Sequence, residues 1–115
     1  MDIERLGTTR RYSDIVIHGD TLYLVEVPHT ADADITTQTR EVLAGIDASL
    51  AKAGSDKTRL LHVTIYLPSM ADYDGMNAVW DAWVPEGTAP SRACVQAGLA
   101  HPGWRIEAVI TAARG

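Results

Sequence analysis

The sequence predicts an α+β fold, one β-sheet with two helices laid on a single face. Three observations point there. The chain has 115 residues, which bounds it to one domain spanning 1–115. Its apolar residues switch between a period of two and a period of 3.6 in the order strand, strand, helix, strand, helix, strand, strand. No repeat, low-complexity segment or linker interrupts that order. At 46% apolar and 22% charged residues the composition is that of a globular chain and not of a disordered one. There is no Phe, and four Tyr with three Trp are the only aromatics, so the core must be aliphatic, alanine-rich and thin.

Ile15-Val16-Ile17-His18 and Leu22-Tyr23-Leu24-Val25 are β-branched and aliphatic runs separated by Gly19-Asp20-Thr21, which predicts a hairpin that Pro28 ends. Ile35, Thr39, Val42, Leu43, Ile46 and Leu50 then recur every three or four residues, the stripe of an amphipathic helix with Asp34 as N-cap and Gly54 as stop. From Leu60 to Leu67, Val63, Ile65 and Leu67 alternate with His62, Thr64 and Tyr66, the period of a strand packed on one face. Met76, Val79, Trp80 and Trp83 mark a second amphipathic helix from about Asp72 to Val84, stopped by Pro85 and Gly87. Two strands, Ser91 to Leu99 and Arg105 to Ala112, close the chain, and His101-Pro102-Gly103 between them reads as a second hairpin turn. Two helices cover one face of such a sheet. The last two runs, however, are apolar on both faces, with Cys94 and Gly98 on one and Ala93, Val95, Ala97 and Leu99 on the other. An antiparallel sheet with a wet face alternates more cleanly, so sheets from several copies are expected to pack together.

Charge and cysteine content narrow the function classes. Ten Lys and Arg against fifteen Asp and Glu leave a net charge of −5, the wrong sign for neutralising phosphates, so nucleic acid is not an expected partner. The one cysteine, Cys94, rules out an internal disulfide framework and fits a reducing compartment; the cytoplasm is the expected location. Met1 to Arg11 carries five charges and lacks the apolar core of a signal peptide, and no run approaches the roughly 18 apolar residues of a membrane helix. A soluble protein that binds no membrane is expected.

His18, His29, His62 and His101 do not stand at the spacing of a zinc motif, so no metal is expected. A nucleophile elbow and a glycine-rich phosphate loop are both missing, which leaves serine-hydrolase chemistry and a nucleotide cofactor without support. Arg92 is the unusual residue. It opens a strand whose next seven residues carry no charge, so its guanidinium is expected to project into a semi-buried setting, either as a fork for a substrate carboxylate or in a salt bridge to Glu107, Asp72 or Glu86. Glu107 is its counterpart, an acid between Ile106 and Ala108. An even-length hairpin loop puts Glu107 on the face of Cys94 and Gln96 and an odd one reverses this. A buried acid can exchange protons near neutrality; a solvent-facing or Arg-paired one cannot be told from it by pattern. Cys94 shares the face of Arg92, and a lone buried cysteine is more often a small hydrophobe than a nucleophile.

Several motifs in order resemble the RidA family, also called YjgF: Arg11-Tyr12-Ser13-Asp14, Gln38-Thr39 with Val42-Leu43, Ala53-Gly54, Met76-Asn77-Ala78-Val79-Trp80, Ala89-Pro90-Ser91-Arg92-Ala93-Cys94-Val95 and Ile106-Glu107-Ala108. The resemblance spans nearly the whole chain and is nearest the YoaB-like branch, through Trp80-Asp81-Ala82-Trp83-Val84 and Val95-Gln96-Ala97-Gly98-Leu99. It implies a chorismate-mutase-like fold assembled as a homotrimer with ligand pockets between subunits. It also implies hydrolysis of reactive enamine and imine acids, such as 2-aminoacrylate and 2-iminopropanoate, to 2-keto acids and ammonia, without metal or organic cofactor. By similarity Arg92 holds the substrate carboxylate, Cys94 offers backbone groups near the imine, Glu107 positions or deprotonates the attacking water, and Tyr12 and Asn77 line or support the pocket.

The chain departs from the family at Leu24-Val25-Glu26-Val27-Pro28, where a small residue and then glycine usually precede Val-Pro. Val25 and Glu26 add bulk and negative charge where glycine lets a backbone approach a ligand. Glu26 is expected either to pair with Arg92 and compete with a substrate carboxylate, or to retune the pocket for a cationic or larger ligand. A non-catalytic ligand-binding or regulatory trimer is therefore the alternative to a deaminase.

Overall fold

The expected first hairpin forms in the computed structural model, which describes residues 1–115: β2 (Ile15–His18) and β3 (Thr21–Glu26) pair antiparallel across a two-residue turn at Gly19 and Asp20. Gly19 has φ +61°, the conformation that a tight hairpin asks of its first turn residue and that glycine adopts without strain. A short strand that the apolar pattern did not signal, β1 (Ile3–Leu6), adds to the outer side of β2. Its Glu4 and Arg5 break the apolar alternation, as charged residues on edge strands commonly do.

Helix α1 (Ile35–Lys52) buries Thr39, Val42, Leu43, Ile46 and Leu50 along the predicted stripe. Asp34 caps it, its side chain accepting from the Thr37 amide at 2.8 Å, and Gly54 leaves it at φ +78°. β4 (Leu60–Leu67) turns Leu60, Val63, Ile65 and Leu67 onto the helices, and a register shift between Leu60 and His62 resets its alternation. Helix α2 (Tyr73–Trp83) follows a single 3-10 turn at Met70–Asp72. It is tied to α1 by Trp83, whose indole N–H donates to Asp47 at 2.9 Å.

The last third differs from expectation. β5 (Ser91–Gln96) stops three residues early, β6 (Glu107–Ala113) starts two residues late, and the two do not form a hairpin. β5 lies parallel to β4, with α2 as the crossover that parallel pairing requires, and β6 inserts antiparallel between β3 and β4. The sheet order is β1-β2-β3-β6-β4-β5, so β5 is a free edge. Two apolar runs around Pro102-Gly103 look like a hairpin locally. What decides otherwise is long-range: fully buried Gln38 on α1 donates to the Gly103 carbonyl at 2.8 Å and accepts from the Arg105 amide at 2.7 Å, holding the connection against the helix.

All core side chains lie between the sheet and the two helices. The opposite face is uncovered and partly apolar: Tyr23 on β3 is 48% exposed, Val25 51%, Val95 on β5 43% and Val109 on β6 37%. One mixed sheet covered on one face by two helices is therefore the architecture.

Candidate functional site

Register places each candidate residue. Arg92 pairs with buried Val63 and Cys94 with buried Ile65, so both face the helices. The Arg92 guanidinium is half-buried under α2, its carbon 5.1 Å from the centre of the Trp80 ring and its Nη1 3.8 Å from the Met76 sulfur. The cation over an indole face is favourable but leaves the fork without an anion. None of the three expected carboxylate partners reaches it, and Asp72 instead contacts Arg105 at 3.5 Å. Asn77 is half-buried on α2, beside the residue that Arg92 touches. Burial pushes the Cys94 thiol above its ordinary pKa, and Arg92 opposes this with a smaller effect, so the sulfur is a protonated small hydrophobe at neutral pH.

Glu107 pairs with Tyr66, on the face away from the helices. It is half-buried in a small recess of about 270 Å³ with Tyr66 and the 97–100 segment. One chain therefore does not bring Glu107 to the face of Arg92 and Cys94, because the hairpin that would have set their relative parity does not form.

A larger cavity of about 870 Å³ opens between α1, β3 and the loop after β1. Tyr12, Val25 and Glu26 line it, as do Asp14 of the Arg11-Tyr12-Ser13-Asp14 motif, His29, and Ser49, Lys52 and Trp104, the last three of which the sequence did not single out. Glu26 does not pair with Arg92, from whose strand two others separate its own. Its side chain turns toward α1, where Ser49 donates to Oε1 at 2.9 Å and Gly45 leaves room: a Cβ at Gly45 would lie 2.5 Å from Oε2. Burial raises the Glu26 pKa from its ordinary value, the Ser49 bond and His29 lower it, and Asp14 adds a small rise. Gly45 and Ser49 stand four apart on one helical face, the spacing that could have flagged a niche opposite an unusual acid.

The cavity wall is held by α1. Besides its two bonds to the 103–105 segment, Gln38 donates to the Thr30 carbonyl at 3.1 Å. Glu41 accepts from the His29 and Thr30 amides and from the Thr30 hydroxyl, bonds that hold its carboxyl below the usual range. Both loops flanking Trp104 and His29 are thus fixed to one rigid helix.

The Endoribonuclease L-PSP family model matches residues 2–114. The RutC family protein YoaB of Escherichia coli strain K12 is 49% identical over 113 residues, covering 98% of this chain and 99% of the relative. A 3-aminoacrylate deaminase, RutC of Acinetobacter baylyi, is 39% identical over 82 residues, 71% of this chain and 63% of the relative. A crystal structure of a YjgF-family protein from Neisseria meningitidis superposes with a TM-score of 0.96 at 49% identity, covering 100% of this chain and 97% of that one.

Proposed function

The chain belongs to the Endoribonuclease L-PSP family, the RidA/YjgF group, and from that premise we propose that it hydrolyses 2-imino and enamine acids of the 2-iminopropanoate type to 2-keto acids and ammonia. The observation that carries the reading is Arg92: a half-buried guanidinium at the free sheet edge, stacked on Trp80 and lacking any carboxylate partner. Such a fork is pre-organised for a small planar carboxylate. The deaminase named among the relatives supports the reaction class.

In this reading Arg92 fixes the substrate carboxylate and offsets its charge beside C2. Water adds to C2 as the C=N π-electron pair moves to nitrogen; Glu107 takes the proton from water and returns it to that nitrogen. The carbinolamine then expels ammonia from its protonated nitrogen with the C–N pair, and Glu107 takes the hydroxyl proton as the C=O forms. A protonated imine is already electrophilic, so orientation of water and substrate supplies most of what the site must add, several kcal/mol.

Arg92 and Glu107 lie on opposite faces of the sheet, so a substrate of three or four carbons meets both only where the open face of one copy abuts the β5 edge of another. A homotrimer that covers the apolar open face would build three such junctions. The alternative, a ligand-binding trimer without catalysis, is favoured by Glu26, which puts a carboxyl into the large cavity. Imine generated in situ by an amino-acid oxidase separates the two. Faster imine decay with the native chain, lost in Arg92→Ala, supports hydrolysis; no acceleration by the native chain leaves the binding reading.

A further inference from the structure

The 870 Å³ cavity has room for more than the three-carbon core of the smallest imino acids, and its deep wall is built around Glu26. One carboxylate oxygen accepts from Ser49, whereas Oε2 takes no hydrogen bond from the chain and keeps access to solvent. Gly45 makes the niche possible, since any larger residue there would collide with that oxygen. Only Val25 on the same strand, Val27 just after it and the Ile15 and Leu6 side chains give the cavity an aliphatic lining, while Tyr12 and Trp104 supply flat walls. Water meets that free acceptor when the cavity is empty, and a ligand that displaces the water without a donor of its own loses a hydrogen bond, since the helix provides none.

We propose that Glu26 is the specificity-determining residue of this cavity, and that it selects ligands whose side chain ends in a hydrogen-bond donor, ammonium or amide, over aliphatic ones of equal length. The inference rests on the deaminase reading for the identity of the substrate's head, a 2-imino acid, but the donor preference belongs to the cavity alone. The Ser49 bond fixes the direction in which Oε2 points, and Gly45 sets how deeply it sits. Lys52 also lines the cavity, so the recognition is of a donor placed against Oε2 and not of positive charge anywhere in it.

Two measurements test this. The first compares hydrolysis of the imines that an amino-acid oxidase generates from L-glutamine and from L-methionine, side chains of similar length that differ in the terminal amide. The second, by calorimetry, compares binding of 5-aminopentanoate and hexanoate, its aliphatic counterpart of equal length, which needs no turnover. The native chain should favour the donor-bearing member of each pair. Glu26→Gln, which keeps an acceptor for Ser49 but presents an N–H₂ to the cavity, should lower that preference about tenfold. Gly45→Ala, which displaces the carboxyl, should lower it in the same direction. Equal handling of the two members by the native chain, or an undiminished preference in Glu26→Gln, overturns the proposal. Preferential binding of 5-aminopentanoate without hydrolysis of either imine keeps it and removes the deaminase reading instead.

Discussion

Arg92 and Glu107 sit on opposite faces of one sheet, on strands separated by β4 alone. Two strand spacings are roughly 10 Å, and the sheet itself stands between the side chains, so a small substrate cannot touch both within one copy. Complementation should follow. Chains carrying Arg92→Ala and chains carrying Glu107→Gln, each inactive alone, should regain activity when unfolded together and reassembled, to about a quarter of the native rate for random mixing in a cyclic trimer. Imine decay after co-refolding measures it. Mixtures as inactive as the parents would place both residues in a single-copy site.

Cys94 offers no low-pKa thiolate: burial is the larger influence on it and raises its pKa, and Arg92 only partly offsets this. Its part in the proposed reaction is played by backbone groups of an edge strand, which any small side chain preserves. Cys94→Ser should therefore retain imine hydrolysis within a few-fold, and the native thiol should react slowly with alkylating agents at pH 7. Loss of activity in Cys94→Ser with an unchanged melting temperature would make the sulfur a participant.

The elements set by local pattern were the legible ones. The α1 stripe, its Asp34 cap, the Gly19 turn and the alternation of β4 depend on neighbours in sequence, and each forms where its residues say. β1 was missed because four residues, two of them charged, carry no period. The β5–β6 hairpin was misread because its alternative is held by Gln38, more than 60 residues away from Gly103 and Arg105. The site followed the same division. Arg92 stood out as an isolated charge in an apolar run, whereas Gly45 and Ser49 became meaningful only once the register turned Glu26 toward them.

Glu26 should leave a signature in the pH dependence of stability. Its pKa is raised in the folded chain, so the folded state binds more protons than the unfolded one between the ordinary and the raised value, and stability falls as pH rises through that interval. Above the raised value the loss is complete. Asp34, Glu41 and Asp56 run the other way: hydrogen bonds lower their pKa values, and their contribution is lost as pH falls. The difference in melting temperature, Glu26→Gln minus native, isolates the first effect. It should be smallest near pH 4 and increase toward pH 8; a difference independent of pH would mean that Glu26 is not desolvated in solution.

The open face should be covered in solution. Tyr23, Val25, Val95 and Val109 present apolar surface around the middle of the sheet, a pattern expected of a buried interface. Val109→Glu would bury an unpaired charge at that interface while leaving the helix-covered core untouched. Sedimentation should show the native chain as a trimer and Val109→Glu as a folded monomer with native far-UV circular dichroism. A native chain that sediments as a monomer would refute the shared-junction site along with the trimer.

Gln38 links the fold to the cavity. All its polar atoms are used, toward Thr30, Gly103 and Arg105, and it is fully buried. Gln38→Leu keeps the volume but strands the Arg105 amide, worth about 1–3 kcal/mol if left without a partner, while the Gly103 and Thr30 carbonyls each lose one bond and keep those from the Asp32 and Ala33 amides. Relaxation of both loops toward water would recover part of that, so a net loss of about 1–2 kcal/mol is expected in urea unfolding. The released segment carries Trp104 and leads into Glu107, so at temperatures where the variant is still folded its kcat should fall more than its KM rises. An equal change in both, or none, would show that the 97–106 connection holds its shape without Gln38.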